Sequence, residues 1–305
     1  MSTQEIPSAA IYAEPDRDIV DRPDGAIQTS PFHPGGVELA TIAAGTLDEF
    51  VAAAPPGSLE RRAVLASALR TLKPGGRLVA LAPKDKGGSR IAAELEGFGC
   101  EVQERFKARQ RICETLRPMS LDGIDAAIAD GAPRLVEETG LWSQPGVFSF
   151  DRIDPGSSLL AETLPPQGGE GADLGAGTGF LSRRVLAGPK VAALHLVELD
   201  ARALACARQN VVDERARFHW ADARSVALRD LDFVVTNPPF HAEGQEDRGL
   251  GQGFIAAAAR MLRRSGTLWL VANRHLPYEP GLKAAFRTVD LRAEGHGYKI
   301  YEARR

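Results

Sequence analysis

The chain has 305 residues, 44% hydrophobic and 25% charged, with a formal net charge of −3, the composition of a soluble globular protein. Its length suits two domains better than one core. No apolar run is long enough to cross a bilayer, and the start lacks the basic-then-apolar pattern of a leader, so no membrane partner is expected. The three well-separated cysteines, Cys100, Cys113 and Cys206, fit a reducing cytoplasm. The charge is uneven: residues 1–60 hold two basic and ten acidic groups, so a phosphate-rich partner would meet the later part of the chain.

Taken in chain order, residues 1–30 are acidic and proline-containing and read as a poorly ordered lead-in. A strand is expected at 50–52, a helix at 60–72, a second strand at 77–82, a helix at 91–96 and strand material over 101–113. These make a first domain over 31–118, followed by a linker over 119–140 and a short hairpin around Pro145-Gly146. Within 141–305, strands are expected at 171–174, 191–198, 217–221, 231–236, 267–272, 288–293 and 298–303. Helices fit at 180–187, 201–211, 254–264 and 281–286. Strands separated by helix-length segments predict a parallel α/β sheet covered on both faces, with one of the last two strands antiparallel.

The two halves share an ungapped likeness between residues 65–82 and 255–272. Phe50 to Pro56 also echoes Phe233 to Pro239, which sets Ala54 where the second half has Asn237, and Phe106-Lys107 echoes Tyr298-Lys299. Three matches in one order predict a duplication whose first copy is reduced and silent. Arg105, Lys107, Arg109 and Arg111 alternate, so one strand would present them on one face, as a guarded sheet edge or a phosphate-binding row. Arg260, Arg263 and Arg264 read as a solvated helix end.

The sharpest motif is Asp173-Leu174-Gly175-Ala176-Gly177-Thr178-Gly179-Phe180 between a strand and a helix. Glycines at this spacing let backbone turn tightly against a ligand, and Phe180 breaks the dinucleotide pattern. The motif resembles the first motif of class I methyltransferases, in which this loop wraps the amino-acid part of S-adenosylmethionine. Glu198 ends the next strand, where an acid can accept both ribose hydroxyls, with Asp200 as the following helix cap. By the same resemblance Asp222 would accept from the adenine amino group, with Ala223 beside the ring. Asn237-Pro238-Pro239-Phe240 resembles the tetrapeptide of enzymes that methylate planar amino groups. The Asn237 side-chain oxygen and the Pro238 carbonyl can accept from such a group, and Phe240 offers a stacking face. His241 and His275 have no ligand partners at a recognised spacing, so no metal is expected.

Together with Leu141 to Phe148, Asp154 to Ser157 and the Val271 to Tyr278 stretch, these motifs resemble the ribosomal RNA small subunit methyltransferase C family. The resemblance implies tandem Rossmann-like class I methyltransferase domains, the N-terminal one degenerate, and a monomer. It implies methylation of guanine N2 in 16S ribosomal RNA, with the base flipped into the Asn237–Phe240 pocket. Guanine N2 of the large-subunit 23S RNA, the glutamine amide of a release factor, and a non-enzymatic assembly role are the alternatives.

Overall fold

The computed structural model describes residues 8–239, 241–242, 245–246 and 248–305. The chain divides into two compact units: residues 1–133 with 144–146, and residues 134–143 with 147–305.

The second unit is built on a seven-stranded sheet. Its chain order is β7 (Arg134–Val136), β8 (Leu141–Ser143), α4 (Pro155–Thr163), β9 (Gly168–Leu174), α5 (Phe180–Leu186), β10 (Lys190–Glu198), α6 (Ala201–Asn210), β11 (Ala216–Trp220) and β12 (Leu231–Thr236). After the small pair β13 (His241–Ala242) and β14 (Gln245–Glu246) come α7 (Arg248–Met261), β15 (Leu262–Asn273), α8 (Glu279–Ala285), β16 (Thr288–Gly295) and β17 (Tyr298–Arg304). The sheet order is β11-β10-β9-β12-β15-β17-β16, all parallel except β17, which runs antiparallel to both neighbours. Strand alternation sorts the two faces. Leu268 and Leu270 meet Phe254, Ile255 and Ala258 of α7, while Trp269 and Val271 face the layer of Leu160, Leu181 and Val185 from α4 and α5. Gly171 interrupts the apolar run of β9 for a packing reason: a Cβ there would lie 2.3 Å from the Phe233 ring, which covers it.

The first unit repeats the pattern in smaller form. Its elements are β1 (Ala9–Tyr12), β2 (Ile27–Gln28), β3 (Leu47–Ala53), α1 (Ser58–Thr71), β4 (Leu72–Pro83), α2 (Ile91–Glu96), β5 (Gln103–Lys107), β6 (Gln110–Leu116) and α3 (Ile124–Asp130). The sheet order β2-β1-β3-β4-β6-β5 matches β10-β9-β12-β15-β17-β16 strand for strand, and β4 and β15 share one burial pattern over twelve residues. Helices α1, α2 and α3 cover one face through Leu65, Leu69, Ile91, Leu95 and Ala127. The other face, where the second unit carries α4 and α5, is closed by Ile19 and Val20 against Val51, Val79 and Leu81.

Several expectations are corrected here. The lead-in is not loose over residues 9–28: Ala10, Tyr12, Ile19 and Val20 are buried, and β1 pairs in parallel with β3. Its polar, proline-rich composition hides a few apolar residues placed where the sheet needs them. Residues 119–133 are not a linker, because α3 packs on α1 and buries Ala127 in the first core. The short hairpin forms between β7 and β8 rather than around Pro145-Gly146. Arg263 and Arg264 belong to β15, not to a helix end, because α7 stops at Met261.

The register of the duplication also shifts by one. Leu47 pairs with Leu72 and Glu49 with Arg77, as Leu231 pairs with Leu262 and Phe233 with Thr267. Ion pairs repeat in the same frame, Asp48 to Lys73 at 2.6 Å and Asp232 to Arg263 at 2.5 Å. The counterpart of Asn237 is therefore Ala53, not Ala54. The Phe106 likeness to Tyr298 fails altogether, since Phe106 lies on β5 while Tyr298 lies on β17, the counterpart of β6. Ala108 and Arg109, both at positive φ, form the two-residue turn between β5 and β6. Arg111 thus pairs across from Phe106, with its guanidinium 4.8 Å from that ring, and the basic row is broken.

Candidate active site

The strand order of the second unit reverses between β9 and β12, the place where open α/β sheets bind ligands beyond their carboxyl ends. Three of the sequence motifs end there: the glycine loop after β9, Glu198 at the end of β10, and Asn237 directly after β12.

The loop holds Gly175, Gly177 and Gly179 at φ of 71°, 54° and 85°, a region costly for other residues. Its backbone is tied to β10, with Gly175 and Ala176 N–H donating to the Val197 carbonyl at 2.9 and 3.1 Å. The Gly177 N–H donates to one Glu198 carboxylate oxygen at 2.8 Å, and the Asp200 N–H donates to the other at 2.8 Å. Burial pushes the Glu198 carboxyl above its usual range, and these two amides work against that shift. Asp200 also caps α6 as read from the sequence, accepting from the Arg202 N–H at 2.9 Å.

Asp173 stands beneath the loop rather than on its surface. It is fully buried, accepts from the Ser182 hydroxyl at 2.7 Å, and is pushed up to about 7 by loss of solvent. At the end of β11, Asp222 is gripped by the Arg224 guanidinium at 2.6 and 2.9 Å, which holds its carboxyl below the usual range. Ala223 is buried beside it, and the Ala221 N–H joins this turn to the Glu198 carbonyl at 3.1 Å.

One pocket gathers Gly175, Gly177, Asn237, Asp154, Ser157 and Phe148. Glu198, Asp222 and Ala223 do not line it; Glu198 ends β10, and Asp222 and Ala223 follow β11. Pro238 is buried and Pro239 exposed; Phe240 lies outside the described residues. Asn237 is held from one side: its Nδ2 donates to Asp154 Oδ2 at 2.9 Å and to the Ser157 hydroxyl oxygen at 2.8 Å. Asp154 is the N-cap of α4, with Pro155 at the first helical position. As functional neighbours Asp154, Ser157 and Asn210 were not found from the sequence. The helix α4 was not expected from the sequence, although Asp154-Pro155 is a helix-start signal, and the contact of Asp154 with Asn237 spans 83 residues. Among the described residues no group of His, Cys, Asp and Glu could hold a metal ion, and no helix is long and apolar enough to cross a membrane.

The methyltransferase small domain pattern matches residues 138–302, more than half of the chain. The chain belongs to the methyltransferase small domain family. Within it, the resemblance read from the motifs holds. A ribosomal RNA small subunit methyltransferase C of Alteromonas mediterranea is 29% identical over 239 residues, covering 72% of this chain and 63% of that protein. One of Pseudomonas entomophila is 28% identical over 263 residues, covering 82% and 77%. The chain thus spans 63% to 77% of these relatives' lengths. A 16S rRNA N2 methyltransferase of T. thermophilus, solved in complex with AdoMet and guanosine, shares the fold with a TM-score of 0.77 at 24% identity, over 100% of this chain and 90% of that one. Tandem Rossmann-like units, the first reduced, are thus the architecture of this chain.

Proposed function

We propose that this chain transfers a methyl group from S-adenosylmethionine to the exocyclic N2 of guanine in 16S ribosomal RNA of the small subunit. The observation that carries the reading is Asn237, placed after β12 in one pocket with Gly175 and Gly177, its amide nitrogen already occupied. The relatives' activity on small-subunit ribosomal RNA supports the choice of substrate. Catalysis belongs to residues 141–305, and the reduced unit that includes residues 31–118 serves support or RNA recognition. The protein acts as a monomer in the cytoplasm.

The cofactor fits the residues present. A Cβ built at Gly177 meets no atom within 4 Å, so the loop presents bare backbone to open space, where a ligand can lie against it. Asp173, Gly175, Gly177 and Gly179 shape the seat of its amino-acid end, Asp173 from below. Glu198 accepts from the ribose hydroxyls, and Asp222 with Ala223 receives the adenine. Bound there, the cofactor supplies an electrophilic methyl group. Asn237 Oδ1 and the Pro238 carbonyl accept from the guanine amino group, which aims its nitrogen and favours its pyramidal, nucleophilic form. Phe240 stacks on the flipped base.

The test is labelled methyl transfer, run in parallel on undermethylated small subunits, large subunits, free RNA and release factor. Label in guanine N2 of small-subunit RNA is the expected result. Label in release factor alone would overturn it.

A further inference from the structure

We infer that Asp154, seconded by Ser157, is a positioning residue that decides which edge of the Asn237 amide meets the substrate; this deepens the reading above and rests on it. An asparagine side chain presents a donor edge and an acceptor edge of nearly the same shape, and rotation about its terminal bond exchanges them. Methylation of an amino group needs the acceptor edge, because a flipped amide would set NH2 against NH2. Asp154 Oδ2 and Ser157 Oγ, at 2.9 and 2.8 Å, both take the Asn237 nitrogen, so Oδ1 is left for the pocket. An ionised carboxylate only accepts, so a flipped Asn237 would put oxygen against oxygen.

The anchor is itself anchored. Asp154 is 8% exposed and accepts from the Ser157 N–H at 2.8 Å as the cap of α4. Its other oxygen accepts from the Tyr298 hydroxyl at 3.5 Å. The Tyr298 ring packs on Gly156, where a Cβ would come within 2.8 Å of it. Capping alone does not call for aspartate here, since Asn, Ser and Thr cap helices comparably. What the Asn237 contact adds is reach: one oxygen, Oδ2, accepts from both the Ser157 N–H and Asn237 Nδ2, which the shorter Ser and Thr side chains cannot do.

The substitution Asp154→Ser keeps a capping oxygen, but its side chain ends one atom short of the oxygen that meets Asn237, and Ser157→Ala removes the second acceptor. Asp154→Ser should lower kcat for methyl transfer about 100-fold, in line with loss of a preorganised polar group, with the AdoMet Kd changed less than about twofold. Ser157→Ala should lower it about tenfold. In an Asn237→Ala background, Asp154→Ser should cost nothing more, because both act through one amide. A purely capping role predicts instead a lower Tm for Asp154→Ala and a normal kcat for Asp154→Ser. Parent-like kcat in Asp154→Ser, or losses that multiply with Asn237→Ala, would overturn the inference. Side-chain amide NMR of the intact protein separates this from the substrate reading. Asn237 Nδ2 protons protected from exchange in the parent and not in Asp154→Ser uphold the anchor even if no ribosomal particle is methylated. Protons unaffected by that substitution refute it.

Discussion

The side chain of Asn210 pairs with both backbone groups of Trp142, accepting from its N–H at 2.7 Å and donating to its carbonyl at 2.9 Å. The same Nδ2 donates to the Thr178 carbonyl at 2.9 Å. The end of α6 therefore ties β8 to the glycine loop, two segments that both border the pocket. Asn210→Ala leaves three backbone groups without these partners, at about 1–3 kcal/mol for each that stays dry. We expect a Tm lower by several degrees and AdoMet affinity weakened at least tenfold, measured by thermal melting and calorimetry. An unchanged affinity would mean the tie does not shape the loop.

The loop glycines divide into two kinds. At Gly179 (φ 85°) a Cβ would lie 2.7 Å from Val211 Cγ2, so Gly179→Ala should destabilise the second unit by about 1–3 kcal/mol. At Gly177 (φ 54°) nothing lies within 4 Å, so Gly177→Ala should cost only the left-handed backbone, about 1–2 kcal/mol. Its methyl points into the open seat, however, and should weaken AdoMet binding more than Gly179→Ala does at a temperature where both are folded. Paired denaturation and binding curves for the two variants check the inversion.

Asp173 ties stability to pH. Its folded pKa is raised to about 7 by burial, against an ordinary value of about 4 in the unfolded chain. Between those values the folded chain keeps a proton that the unfolded chain has released. Stability from this group is thus whole below about pH 4, falls as pH rises, and levels off above about 7, a span on the order of 4 kcal/mol. Asp173→Asn removes the titration. The Tm difference, variant minus parent, should climb from pH 4.5 to 7 and then stay flat; parallel curves would show that Asp173 is ionised in the folded protein.

In the first unit, the Arg61 guanidinium meets the Glu94 carboxylate twice, at 2.7 and 2.8 Å, both nearly buried, and also donates to the Pro55 and Pro56 carbonyls. Arg61→Ala would strand a buried acid and should cost about 3–5 kcal/mol. Arg61→Met combined with Glu94→Gln should recover much of that loss. Chemical denaturation of the single and double variants tests the ordering.

Helices were legible where apolar residues kept a period of 3.6, as in α6, a period set by local backbone geometry, and the buried part of β15 was legible as the unbroken apolar run Leu268 to Ala272. The glycine spacing after β9, the acid at Glu198 and the Asn-Pro-Pro step were legible too, since each chemical requirement falls on a few adjacent residues. That they lie at one end of the sheet followed from the parallel strands that such alternation implies; which strands are neighbours came from the structure.

Tertiary structure alone decided the rest. Ala10 and Ile19 in an acidic segment give no period, yet Ala10 is buried on β1 between β2 and β3, and Ile19 on the sheet face that carries no helix. Ala53 rather than Ala54 answers to Asn237 because pairing register, not residue likeness, sets equivalence. The basic row from Arg105 to Arg111 came apart at a two-residue turn that no breaker residue announced. The hold of Asp154 on Asn237 joins positions 83 apart. By itself the sequence determined which residues could do the chemistry. Which of them are aimed, and by what, depended on contacts between distant elements, which leave no local pattern.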